Sequence, residues 1–137
     1  MNITLEEAER ICEAAKAKAI QIGVAMNIAI VDEGANLKLF CRMDGAFLGS
    51  ADIALKKAKT SRLFDRNSDE IGKLSQPRGA LYNIEHSNNG LISFGGGILL
   101  KNNTGKITGA IGISGGSTVQ DIEVALAGGA ALHNAYL

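Results

Sequence analysis

Two glycine-rich stretches hold most of the chemical potential of this chain, Phe94-Gly95-Gly96-Gly97 and Ser114-Gly115-Gly116-Ser117. Glycine lets backbone approach backbone or a ligand closely and takes positive φ without strain. The second stretch opens onto Thr118-Val119-Gln120-Asp121. There Ser117 and Gln120 have the spacing of a capping box, so a helix begins at that point. Free N–H groups at such a start can hold a carboxylate or a phosphate. A plain strand-to-helix turn, with Asp121 and Glu123 complementing the helix dipole, satisfies the same pattern. Neither the Gly-Lys-Ser/Thr of a phosphate loop nor Gly-x-Gly-x-x-Gly is present.

The ionisable side chains add fewer options. Lys57 falls on a different helical azimuth from Lys56 and Lys59, nearer the apolar side. An inward lysine needs a partner, for which Asp44 in its glycine loop is a candidate; a surface lysine fits equally. His86, in Glu85-His86-Ser87-Asn88-Asn89-Gly90, could act as an axial ligand or a general base, or simply hydrogen-bond within its loop. His133 suits the dipole at the end of the last helix. The two histidines lie far apart, and there is no Cys-x-x-Cys or His-x-x-x-His, so the sequence offers no dedicated zinc or iron site. Ser114 and Ser117 lack the Gly-x-Ser-x-Gly elbow and read as turn and cap residues rather than nucleophiles. Cys12 and Cys41 are expected as buried apolar residues, not as a bridge.

These groups must be positioned by a small set of elements. Thr4-Leu5-Glu6-Glu7 is a capping box, followed by an apolar stripe of Leu5, Ala8, Cys12, Ala15, Ala19 and Ile22 on a helix ending at Gly23. Val24 to Val31 and Leu37 to Arg42 read as strands joined by the turn at 32–36. Ser50 can cap a helix over Ala51 to Phe64, with Ile53, Ala54, Ala58 and Ser61 inward. The pattern weakens from Asp65 to Gly79, where one helical turn near Asp69 to Leu74 precedes Pro77; this segment is a candidate lid. Leu91 to Phe94, Ile98 to Lys101 and Ile107 to Ile113 read as three more strands, the last two joined by the hairpin residues Asn102-Asn103-Thr104-Gly105-Lys106. A final helix runs from Ser117 to about Tyr136. The order predicts an α+β fold, a five-stranded, mainly antiparallel sheet with helices on both faces in the profilin or PAS manner.

At 137 residues the chain has the length of one domain, with 46% hydrophobic and 20% charged residues. Fourteen basic and fourteen acidic residues cancel, which argues against nucleic acid or an anionic membrane as partner. No secretory signal pattern opens the chain and no apolar run approaches the ~18 residues of a membrane span, so a cytoplasmic location is expected. Four Phe, two Tyr and no Trp leave small aliphatic side chains to fill the core, a composition that favours burial by oligomerisation.

Asp52-x-Ala54-x-x-Lys57-Ala58-x-Thr60, His86-Ser87-Asn88, Phe94-Gly95-Gly96-Gly97 and Gly112-Ile113-Ser114-Gly115-Gly116 with Gln120-Asp121 together resemble the GlcG/HbpS family, which includes the carboxyl-terminal domain of PduO-type proteins. The resemblance covers nearly the whole chain, residues 1–137, as one domain. It implies a profilin-like α/β/α fold and homo-oligomers, in some members octamers. It also implies haem binding in some members and association with glycolate, diol or glycerol metabolism in others. By position it implicates Asp44, Lys57, Thr60, Phe94, Gly95, Gly96, Gly97, Ser114, Gly115 and Asp121 as pocket-lining or fold-defining. The family's haem binders use a histidine near the first helix and strand, which this chain lacks, so His86, Met43 or Cys41 would have to replace it.

The resulting expectation is an oligomeric small-molecule-binding protein whose ligand is haem, a corrinoid or a small hydroxylated or carboxylated metabolite. Two rivals stand beside it. One is an enzyme on a small hydroxy-acid or diol-derived substrate, with His86 as base and Lys57 as electrostatic stabiliser. The other is an assembly subunit without a ligand.

Overall fold

The computed structural model describes residues 2–133. The elements run α1 (Leu5–Ile22), β1 (Asn27–Asp32), β2 (Leu37–Arg42), α2 (Ser50–Phe64), α3 (Ser68–Leu74), a 3-10 turn (Ile84–His86), β3 (Gly97–Lys101), β4 (Ile107–Ser114) and α4 (Thr118–Ala130). The sheet has the order β2-β1-β4-β3, and every pairing is antiparallel. The last helix ends at Ala130 and gives way to a turn over 131–133, short of the expected end at Tyr136, which itself lies outside the described residues.

Local signals explain both ends of the helical framework. Thr4 Oγ1 accepts the Glu7 N–H at 3.1 Å while the Glu7 carboxylate accepts the Thr4 N–H at 2.9 Å, so α1 starts on a complete capping box. Ser117 and Gln120 make the same reciprocal pair at the start of α4. Ala8, Ile11, Cys12, Ala15 and Ala19 are the buried stripe of α1; Leu5 is exposed and Ile22 half-buried, because the stripe outruns the layer beneath it. The expected cap at Ser50 is not used. Gly49 precedes α2 without a side-chain cap, and Ser50 is buried in its first turn.

The period of two in β1 divides the core. Ile28 and Ile30 join Ile111, Ile113 and Leu100 under α1 and α4, while Ala29 and Val31 join Ala54, Ala58 and Ala110 under α2. Each fully buried isoleucine contributes about 1.5–3 kcal/mol of transfer free energy. On the α2 side the residues are small, and the helix lies close to the sheet. At Gly112 a Cβ would run into the Ala54 carbonyl oxygen, so only glycine permits this approach.

The sheet has four strands, not five. Leu91 to Phe94 is irregular because its backbone groups are taken by other partners. The Leu91 N–H donates to the Glu85 carbonyl, the Ile92 N–H donates to Thr60 Oγ1 at 3.1 Å, and the Phe94 carbonyl accepts from Ser68 Oγ at 2.8 Å. The outer edge of β3 is met by side chains instead of a strand: Ser68 Oγ accepts the Gly97 N–H at 2.8 Å and Asn67 Oδ1 accepts the Leu99 N–H at 3.0 Å. The weak segment from Asp65 to Gly79 therefore carries a docked helix, α3, whose Ser68, Ile71 and Gly72 are buried. A Cβ at Gly72 would collide with the Ser93 carbonyl. No helix among the described residues is long and apolar enough to cross a membrane.

Candidate functional site

The two glycine stretches meet. β3 follows the first, β4 leads into the second, and the Ile113 N–H donates to the Gly96 carbonyl at 2.9 Å where they cross. Gly96 has φ +130°, and a Cβ there would sit 2.8 Å from Lys57 Nζ. Below this junction Lys57, carried by α2, donates to the Ile113 carbonyl at 2.8 Å and to Asp121 Oδ2 at 2.9 Å. Its ammonium lies 4.9 Å from the centroid of the Phe94 ring. The other Asp121 oxygen accepts the Gly116 N–H at 2.9 Å. The Lys57 and Asp121 side chains are 0% and 3% exposed.

The lysine partner is therefore Asp121, not Asp44, which stands exposed in the loop after β2. Burial lowers the Lys57 pKa, and the bond to Asp121 partly restores it. Burial likewise raises Asp121, opposed by the bonds from Lys57 and the Gly116 N–H. Both directions describe the same cost, two charges held out of water, offset by close contacts among Ile113, Asp121 and Gly116. The charge of Lys57 is thus committed inside the protein, joining α2, β4 and the start of α4.

The remaining predicted residues fall around this clasp. Thr60 is buried; its hydroxyl donates to the Lys56 carbonyl and accepts from Ile92, which ties the segment before the first glycine stretch to α2. Gly97 packs beneath α2, where a Cβ would strike the Lys57 carbonyl. Ser114 is buried opposite Asn27 at the end of β4. A Cβ at Gly115 would crowd the Ala25 carbonyl. Phe94 is 45% exposed, and Gly95 lies beneath Ile122. His86 is exposed on the 3-10 turn, apart from the clasp. Beside it the Glu85 carboxylate accepts from Ser93 Oγ, the main cause of its lowered pKa.

Two hollows open near these elements. The smaller, about 340 Å³, is bordered by Phe94 and Gly95 together with Lys73, Gln76, Thr118 and Ile122. The larger, about 430 Å³, lies between β3 and α4; Ile98, Leu100 and Leu126 give it an apolar wall, and Arg66, Lys101 and His133 give it polar groups. Asp65 and Glu70 also border it. His133 Nδ1 is 3.0 Å from Asn103 Oδ1. In the tautomer whose Nδ1–H donates to that oxygen, Nε2 keeps its lone pair for a ligand, the usual arrangement of a metal-binding imidazole.

Haem iron takes an imidazole, thioether, thiolate or phenolate donor. Among the three donors named from sequence, His86 lines neither hollow, the Met43 sulfur accepts the Met26 N–H at 3.4 Å, and Cys41 faces Cys12. The larger hollow does contain a fitting donor set: an oriented imidazole, an apolar wall and two cations for carboxylates. Nothing in the sequence separated His133 from an ordinary dipole-complementing residue, because only the fold places Asn103 beside it. The described residues hold no cluster of three or more His, Cys, Asp or Glu that could bind a bare metal ion.

Comparison with known proteins agrees with this architecture. A Citrobacter freundii protein described as an uncharacterized 15.0 kDa protein of the dhaT-dhaS intergenic region is 41% identical over 121 residues, covering 88% of this chain and 84% of that protein. The corrinoid adenosyltransferase PduO of the same organism is 35% identical over 126 residues, 91% of this chain but only 37% of PduO. The crystal structure of a PduOC–haem complex superposes with a TM-score of 0.91 at 33% identity, covering 96% of this chain and 95% of that one. The family model for haem degrading protein HbpS-like matches residues 3–130. With that span matched and these relatives on the same fold, the chain belongs to the HbpS-like family.

Proposed function

We propose that this protein binds a haem-type tetrapyrrole in the hollow between β3 and α4. The observation that carries the reading is the convergence there of His133, its Nδ1 beside Asn103 Oδ1, with an apolar wall and the cations Arg66 and Lys101. His133 would ligate the iron, Ile98, Leu100 and Leu126 would contact the macrocycle, and Arg66 and Lys101 would meet its carboxylates. The bound group would supply the redox and light-absorbing chemistry; the protein supplies the seat. Similarity to a domain crystallised with haem supports the ligand class, and similarity to part of a corrinoid adenosyltransferase makes a corrinoid the next candidate. We further propose a homo-oligomer, supported by Phe47 and Leu48, which are 71% and 78% exposed. An accessory role beside glycolate, diol or glycerol metabolism is proposed from the family resemblance.

Haemin titration tests this reading. The wild type should give a saturable, one-site Soret shift. His133→Ala should displace the bound band and weaken binding roughly tenfold or more, and His86→Ala should leave both unchanged. An unshifted wild-type band, or identical spectra for wild type and His133→Ala, would overturn it.

A second reading is favoured by the exposed Phe94 ring beside Lys73, Gln76 and Thr118: a small hydroxylated or carboxylated metabolite in the smaller hollow. Calorimetry with such compounds on Phe94→Ala and Lys73→Ala separates the two, since neither change should touch the haem shift.

A further inference from the structure

Two thiols, neither part of a ligand hollow, face one another across the α1–β2 contact. In the β1–β2 ladder Cys41 stands opposite Ile28, whose side chain is fully buried on the α1 side of the sheet. Alternation puts Leu39, Cys41 and Met43 on that same side, packed against the main core. Cys12 belongs to the sheet-facing stripe of α1 and sits in the same cluster. Cys41 lies near enough to Cys12 to help raise its pKa. The two differ in access: Cys12 is 6% exposed and Cys41 half-buried, and both are free thiols. An accessible thiol backed by a buried one is the arrangement of an attacking and a resolving cysteine.

We propose that Cys12 and Cys41 form a reversible disulfide that staples α1 to the edge strand β2, with a low-molecular-weight disulfide as oxidant. In the first step the Cys41 sulfur attacks the oxidant, forming a mixed disulfide and releasing one small thiol. In the second, the Cys12 sulfur attacks Cys41 and expels the other. The protein pair loses two electrons and two protons, and the oxidant becomes two thiols. Burial, followed by the neighbouring Cys41 and Glu13, pushes the Cys12 thiol up to about 12, with Lys16 as the opposing cation. Burial, the largest of these causes, persists once Cys41 carries the mixed disulfide, so the second step is the slow one at neutral pH and quickens as pH rises. The bridge would close a ring from residue 12 to residue 41, tying down a strand that the sheet holds on one side only.

Incubating the reduced, full-length protein with oxidised glutathione tests this. Intact mass and peptide mapping should show a glutathione adduct on Cys41 first, then an intramolecular Cys12–Cys41 bridge. The bridged form should melt roughly 10 °C higher and revert with dithiothreitol. Cys12→Ala should stop at the persistent Cys41 adduct, and Cys41→Ser should give no bridge. A wild-type adduct that never resolves at pH 9, a Cys41–Cys41 bridge between two copies, or no reaction at Cys41 would each overturn the proposal. Circular dichroism of both variants shows whether an unreactive one is still folded.

Discussion

Replacing Asp121 by Asn would leave the Lys57 ammonium buried against the Ile113 carbonyl and the Phe94 ring with its counter-charge gone. The expected loss is about 3–5 kcal/mol in denaturant unfolding. Burial alone would then set the lysine pKa further below 10.5, so the unfolded chain would bind more protons between the two values. Stability of the variant should therefore rise with pH through that window, up to the unfolded value. The double change Lys57→Met with Asp121→Leu should recover most of the loss, which a double-mutant cycle would read as coupling between the pair. The inward azimuth of Lys57 was legible in the sequence, since it depends only on the spacing from Ala54 and Ala58. Its partner was not: Asp44 is near in the chain, whereas Asp121 arrives only because β4 lies between α2 and α4. His133 was hidden for the same reason, its role depending on Asn103 from a hairpin thirty residues earlier.

Among the elements, α2 depends on a strand that yields it space. Gly112→Ala would drive a Cβ into the Ala54 carbonyl, and a loss above about 3 kcal/mol is expected, with helix and sheet forced apart. Asn67→Ala acts at the opposite side of the sheet by uncovering the Leu99 N–H; about 1 kcal/mol and faster hydrogen exchange at Leu99 are expected. Both helix starts at Thr4 and Ser117 could be read directly, since a capping box lies within four residues. The extra strand at Leu91 to Phe94 was misread because a short apolar run carries no information about its neighbours. Here Thr60 and Ser68 reach its backbone before any strand does.

At the scale of the molecule, a small-residue interface lets α1 and α4 lie together over one face: a Cβ at Gly128 would sit 3.1 Å from Ala15 Cβ and 3.2 Å from the Ile11 carbonyl. Gly128→Val should therefore lower the melting temperature by roughly 5 °C or more, and it should disturb the adjoining hollow that Leu126 and Gly129 line. The α+β plan and the antiparallel sheet could be anticipated, since hairpins and helix stripes are local; the choice between the two hollows could not, because each is walled by elements far apart in the chain. The side-chain seal at Asn67 and Ser68 has a further consequence. With the rim at β3 already occupied, β2 is the open rim of the sheet among the described residues, and two copies joined there backbone to backbone would exhaust it. Such growth ends in a closed couple and cannot propagate into a fibre, so any larger assembly has to be built through helices and loops.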